Sequence, residues 1–133
     1  MDNCIFCKIV AGEIPAYKVF EDENFLAFLD IRPLTRGQVL VIPKNHYRWV
    51  WDVENVGAYF ELARKIALAQ KKAFNTDWVV SLIFGEEVPH AHIWLVPRTP
   101  DDGHGAVIKL ENRQTFSPEE MEKIRSQIVE NLT

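Results

Sequence analysis

Val88-Pro-His-Ala-His-Ile-Trp-Leu-Val-Pro97 is the stretch whose reading decides the fold. A β-strand sends successive side chains to opposite faces. As a strand over 89–96, this stretch puts His90, His92, Trp94 and Val96 on one face and Ala91, Ile93 and Leu95 on the other. The second set is a small apolar core face. The first sets two imidazoles about 7 Å apart along one edge, beside an indole. Buried imidazoles need partners. The face therefore has a chemical purpose, or it holds two hydrogen-bonded core histidines.

Outward from it, residues 78–84 form a strand that reaches 89–96 through a tight turn at Gly85-Glu86-Glu87. Residues 17–20 and 25–29 make a second hairpin across Glu21-Asp22-Glu23-Asn24. Residues 38–42 are nearly continuous in apolar side chains and closed by Pro43, which marks a central strand. Residues 2–11 fit a short helix capped by Asp2 or Asn3 and stopped by Gly12.

Asp52 can cap a long helix over 53–74, with a core stripe of Val56, Tyr59, Phe60, Ala63, Ile66, Ala67 and Phe74. Leu62, Ala69 and Ala73 form a weaker second stripe, either a subunit contact or plain helix-forming surface. Ser117-Pro118-Glu119-Glu120 opens a helix that runs to 131. The expected architecture is α+β over one domain, residues 1–133. It has an antiparallel sheet of about five strands, a long helix packed on it, a short N-terminal helix and a C-terminal helix.

The 133 residues are 47% hydrophobic and 26% charged, with net charge −4, as in an ordinary soluble domain. The 15 basic residues are scattered, which argues against a nucleic-acid surface. No apolar run approaches the roughly 20 residues of a membrane span, and Met-Asp-Asn-Cys does not open a signal peptide. Cytoplasmic residence is the expectation. In a reducing compartment, the two cysteines, Cys4 and Cys7, point to metal or redox chemistry rather than a staple.

Cys4-x-x-Cys7 alone is a redox pair, half a zinc site or coincidence. Structural zinc needs two further ligands, and His46 and His90 are chemically reasonable. His92, on a rigid strand, offers a neutral imidazole that can attack an electrophilic phosphorus near pH 7. Asp30, at the end of an apolar strand, suits a ligand hydroxyl or simply caps its loop.

Four segments, taken in order and spacing, resemble the histidine triad (HIT) nucleotide-binding family: Cys4-Ile-Phe-Cys-Lys-Ile9, Phe25-Leu-Ala-Phe-Leu-Asp-Ile31, Val41-Ile-Pro-Lys-Asn-His46 and Pro89-His-Ala-His-Ile-Trp-Leu-Val-Pro-Arg98. The resemblance covers residues 3–98, with 99–133 as a C-terminal loop and helix. It implies an α+β homodimer that hydrolyses or transfers nucleoside monophosphates from esters, phosphoramidates or dinucleoside polyphosphates. A covalent nucleotidyl-histidine intermediate would carry the transfer. His92 falls on the family's nucleophile and Asp30 on its ribose-binding acid. Ile5, Phe6, Ile9, Phe28, Leu29 and Ile31 fall on the pocket for a purine nucleotide or nucleotide conjugate, with Trp94 beside it. Cys4, Cys7, His46 and His90 fall on the structural zinc ligands of a zinc-carrying bacterial-type branch.

Two departures stand out. The third triad histidine, which helps the leaving group depart, is Trp94; an indole donates a hydrogen bond and stacks but transfers no proton at neutral pH. The loop before His90 is short and carries Glu86 and Glu87 where many members bind phosphate, leaving backbone N–H groups, His92, Lys44 and Arg98 for that task. His104, in Asp102-Gly-His-Gly105, is either a solvated loop residue or a substitute acid. Beside the enzyme stand two other readings, a nucleotide-binding regulator with lost turnover and a zinc-stabilised partner-binding dimer.

Overall fold

The computed structural model describes residues 3–132; the expected cap at Asp2 lies outside them. The elements follow in chain order. Helix α1 spans Ile5–Val10, strands β1 Lys18–Glu21, β2 Phe25–Leu29 and β3 Val39–Pro43 follow, and a 3-10 turn covers Val50–Asp52. Helix α2 spans Val56–Ala73, then come β4 Val79–Leu82, β5 Ile93–Pro97 and α3 Pro118–Glu130. The strands form one antiparallel sheet in the order β1-β2-β3-β5-β4. This is the expected α+β architecture. Among the described residues no helix is long and apolar enough to cross a membrane.

Alternation divides the sheet into two faces. Ala27, Leu29, Val39, Val41, Ile93 and Leu95 pack against α2 and α3. Leu26, Phe28, Leu40, Ile42, Trp94 and Val96 pack against α1 through Cys4, Phe6 and Ile9. β2, β3 and β5 are buried along their whole length because both faces are covered. Their near-continuous apolar sequence follows from that.

The stripe on α2 differs from the expected one. Tyr59, Leu62, Ala63, Ile66, Ala69 and Gln70 are buried, while Val56 and Phe60 are 38% and 39% exposed. The helix is rotated so that the supposed subunit stripe, Leu62 and Ala69, faces the protein's own core. The turn is set by polar bonds that a hydrophobic pattern does not reveal. The Tyr59 hydroxyl donates to Val41 O at 2.6 Å, and Gln70 Nε2 donates to Gly37 O and Leu95 O. Gly37 has φ +91°, and a Cβ there would collide with the Phe74 ring. Asp52 does not cap α2. Its carboxylate accepts from Trp49 N and closes the 3-10 turn, and α2 starts after Asn55. The start of α3 is as expected, with Ser117 Oγ accepting from Glu120 N.

The loop after β5 is held by a buried ion pair. Arg98 is 2% exposed, stacks on Trp78 and donates from Nε to Asp102 Oδ2 at 2.6 Å. Burial alone would raise the Asp102 pKa. Hydrogen bonds from Arg98, Thr99 N and His104 N outweigh it and hold the carboxyl down at about 2. A depressed folded-state pKa stabilises the fold above the carboxyl's ordinary value, and that stability is lost as pH falls through about 2. Its size is about 2 kcal/mol. Asp102→Asn should therefore lower the melting temperature by roughly 10 °C at neutral pH. The gap to the parent should close as pH falls from about 4 to about 2. Thermal melts across that range check this; a gap that stays constant would contradict it.

Candidate functional site

β5 begins only at Ile93, so His90 and His92 precede the strand rather than sitting within it. The ladder between β3 and β5 ends at Val41 opposite Ile93. Beyond that point the β3 carbonyl at Pro43 accepts from the His90 ring instead, with His90 Nε2 at 2.8 Å. Pro89 has no N–H to offer, His90 N bonds back to Val88 O, and Ala91 N is held by Tyr47 O. The alternation nevertheless persists. Ala91 joins the helix-side core, while His92 and Trp94 line a cleft on the other face.

Donation from His90 Nε2 to Pro43 O leaves Nδ1 as the lone-pair nitrogen. That atom lies 3.2 Å from Cys4 Sγ and 3.5 Å from Cys7 Sγ, and Cys7 Sγ lies 3.3 Å from His46 Nδ1. All four donor atoms fall within 4.8 Å of one another. A tetrahedral zinc spaces its sulfur and nitrogen donors roughly 3.3–3.8 Å apart, so the set fits such an ion. α1 brings the sulfurs together: Cys4 is its N-cap and accepts from Cys7 N at 3.3 Å. A carbonyl behind a ligating imidazole is also what orients metal-binding histidines. Burial pushes the Cys7 thiol up to about 11, assisted by Cys4, and pushes His90 down to about 4.

His92 is 5% exposed. Its Nδ1 donates to His90 O at 2.7 Å, which leaves Nε2 unprotonated and available. Burial lowers its pKa, so the ring is neutral at physiological pH. Phe6 meets it edge-on at 5.2 Å and Trp94 lies nearly parallel at 6.5 Å. A neutral imidazole held this way can act as a nucleophile toward phosphorus.

The cleft encloses about 500 Å³ beside His92, the size of a small-ligand site. Of the expected base-pocket residues, Ile5, Phe6 and Ile31 line it. Ile5 and Ile31 are 45% and 66% exposed, apolar side chains left at the rim of a concave site. Phe28 and Ile9 are buried behind Phe6, the Phe28 ring at 5.7 Å from it. Leu29 points to the opposite face, because strand alternation places it with the helix-side core. Asp30 lines the cleft and also caps its loop: Oδ1 accepts from Arg32 N at 2.8 Å and Oδ2 from Gln38 Nε2 at 3.2 Å.

Neither cation expected to meet phosphate is at the cleft. Lys44 pairs with Glu21 at 2.8 Å, and Arg98 is consumed by Asp102. Arg32 and Arg113 are there instead. Arg113 comes from the C-terminal loop, where no motif marks it. His104 is neither solvated nor a free acid. It is 2% exposed, with Nδ1 accepting from Lys109 N and Nε2 donating to Leu34 O. It pins the loop. Glu87 lines the cleft as the sequence suggested, and Gly85 (φ +93°) lets the short loop pass under the Trp49 ring, where a Cβ would sit 2.9 Å from it.

Known proteins resemble this chain in sequence and in fold. The HIT domain family model matches residues 11–101, the whole sheet and all of α2. The protein named Protein hit from Bacillus subtilis is 42% identical over 98% of this chain and 95% of its own length. The adenosine 5'-monophosphoramidase HNT1 of Saccharomyces cerevisiae is 35% identical over 84% of this chain and 72% of its own. A crystal structure of a Zn-bound histidine triad family protein from Mycobacterium smegmatis superposes with TM-score 0.82 at 34% identity, covering 98% of this chain and 94% of that one. With the family model across two thirds of the chain and near full-length relatives around it, this chain belongs to the HIT domain family.

Proposed function

We propose that the chain is a nucleotidyl hydrolase or transferase of the zinc-carrying, short-loop branch of its family, built as one domain over residues 1–133. The observation that carries the reading is the His92 hydrogen bond to His90 O, which leaves Nε2 unprotonated beside a cleft of nucleotide size. His92 Nε2 attacks the α-phosphorus of a nucleoside phosphate ester, amide or anhydride. A nitrogen–phosphorus bond forms and the bond to the leaving group breaks. Water or another acceptor then displaces the histidine and releases the nucleoside monophosphate. Asp30 receives the ribose hydroxyls. Ile5, Phe6 and Ile31 flank the base, with Ile9 and Phe28 as backing, and Trp94 walls the phosphate side. The phosphoramidase relatives in yeasts agree with this chemistry. Cytoplasmic residence and a homodimer belong to the same reading.

Cys4, Cys7, His46 and His90 would hold zinc. When bound, the ion ties α1 to the loop after β3 and to the segment before β5. Four protein ligands leave no open position, so its contribution is structural. One observation favours a second reading, a nucleotide-binding protein without turnover: Trp94 stands where the family carries its third histidine.

Two measurements decide. The parent should release AMP from adenosine 5'-phosphoramidates or diadenosine polyphosphates, with a nucleotidyl adduct detectable on His92 by mass spectrometry. His92→Ala should lose at least about 10³-fold in kcat/KM. Nucleotide binding by calorimetry with no turnover in the parent would leave the second reading. For the metal, zinc-replete protein should carry about one equivalent by elemental analysis, and Cys7→Ser should retain little and melt roughly 10 °C lower. Less than half an equivalent in the parent would refute the site.

A further inference from the structure

We propose that Arg113 is the cation that receives the leaving group, and that it selects substrates whose leaving group departs as an anion, such as a phosphate or nucleoside phosphate, over those that release an amine. This rests on His92 as the nucleophile. Arg113 lines both the main cleft and the adjoining recess beneath the 84–87 loop, and His92 and Trp94 line the same two spaces. Its guanidinium carbon lies 5.1 Å over the Trp94 ring. Nη1 donates to Arg32 O at 2.9 Å and Nε to Leu110 O at 3.2 Å, and Nη1 stands 3.6 Å from Asp30 Oδ2. Nη2 has no hydrogen-bond partner among the described residues. The loop is anchored on either side of the arginine, by His104 to Leu34 O and by Gln114 N to Pro33 O. The cation is therefore held, not tethered.

The chemistry of the cleft wall gives this position its consequence. Attack by His92 Nε2 breaks the phosphorus–X bond, and X leaves with both electrons. If X is a phosphate oxygen, the charge that grows on it needs a fixed cation and no proton, which a guanidinium supplies. If X is an amine nitrogen, it must gain a proton as the bond breaks. Indole and guanidinium cannot supply one at neutral pH, and the exposed carboxyls of Glu87 and Glu111 sit in water. A solvated carboxyl is not held within hydrogen-bond reach of the leaving atom, as a general acid must be.

The test compares kcat/KM for a diadenosine polyphosphate and an adenosine 5'-phosphoramidate of an alkylamine, in the parent, Arg113→Met, Arg113→Lys and Trp94→His, with thermal melts to confirm folding. The parent should favour the polyphosphate. Arg113→Met should lose about 10²–10³-fold on the polyphosphate and change less than about 3-fold on the phosphoramidate; Arg113→Lys should restore part of the loss. Trp94→His should raise phosphoramidate turnover. Equal losses on both substrates in Arg113→Met, or a parent that prefers the phosphoramidate, overturns the role of Arg113 while His92 keeps its own. No turnover of either substrate by the parent overturns the reading beneath it as well.

Discussion

The hydrogen bond from His90 Nε2 to Pro43 O governs the whole site. It assigns the proton on one imidazole, and the rest follows by direction. With Nε2 protonated, His90 Nδ1 turns its lone pair on the two cysteine sulfurs, so four donor atoms that could hold a metal converge on one side of the residue. On the other side, the His90 carbonyl is free to accept from His92 Nδ1, so the lone pair of His92 is at Nε2. One residue thus divides its ring and its backbone between two tasks. The constraint also explains why the strand starts late. A ladder extended through His90 would need the Pro43 carbonyl for main-chain pairing, and that carbonyl is already used by a ring.

The two-faced sheet makes this arrangement affordable in stability. The helix-side core of β2, β3 and β5 against α2 and α3 provides the apolar burial that folds the domain. The cleft-side face can then carry polar and titratable groups that a small single-sided core would not tolerate. His90, His92 and His104 are each nearly or fully buried, and each has a backbone partner in hydrogen-bond range. Carbonyls rather than carboxylates orient all three rings, and burial holds His90 and His92 below the usual imidazole range against the opposing pull of those hydrogen bonds. The carboxylate of Asp30 stays at the cleft rim, where a ligand hydroxyl can reach it.

The fold was legible because its strands are short apolar runs with clear breaks: β2 spans 25–29 as expected, and β3 and β5 differ by a residue or a few. His92, Trp94 and Ala91 lie on the faces that strand alternation predicts, since alternation survives beyond the ladder. Legibility failed where polar side chains reach distant backbone. Gln70 sets the rotation of α2 and reads in sequence as a surface residue. His104 and Asp102 read as a solvated loop, yet they are its internal skeleton. Arg113 carries no local signal at all, because it acquires its place only when the 98–116 segment folds back over Trp94. Leu29 differs in the opposite sense: a contiguous motif suggests one surface, although a strand must divide it between two.

Trp94 and Arg113 are best understood as one unit. An imidazole at position 94 would be too small to fill the space that the indole shares with Phe84, at 5.3 Å, and with the guanidinium. An arginine at 113 without an aromatic surface beneath it would lose a cation–π contact worth about 0.5–2 kcal/mol and some of its shielding from water. The indole therefore does more than fill space. It supplies the platform on which a permanent charge can be held beside His92, in surroundings drier than bulk water where that charge acts more strongly. Proton donation and fixed charge are alternative ways to help a leaving group depart, and they favour different leaving groups. On the proposed reading, the guanidinium over the indole gives this cleft the second of the two, with His92 as nucleophile and Asp30 as ribose acid.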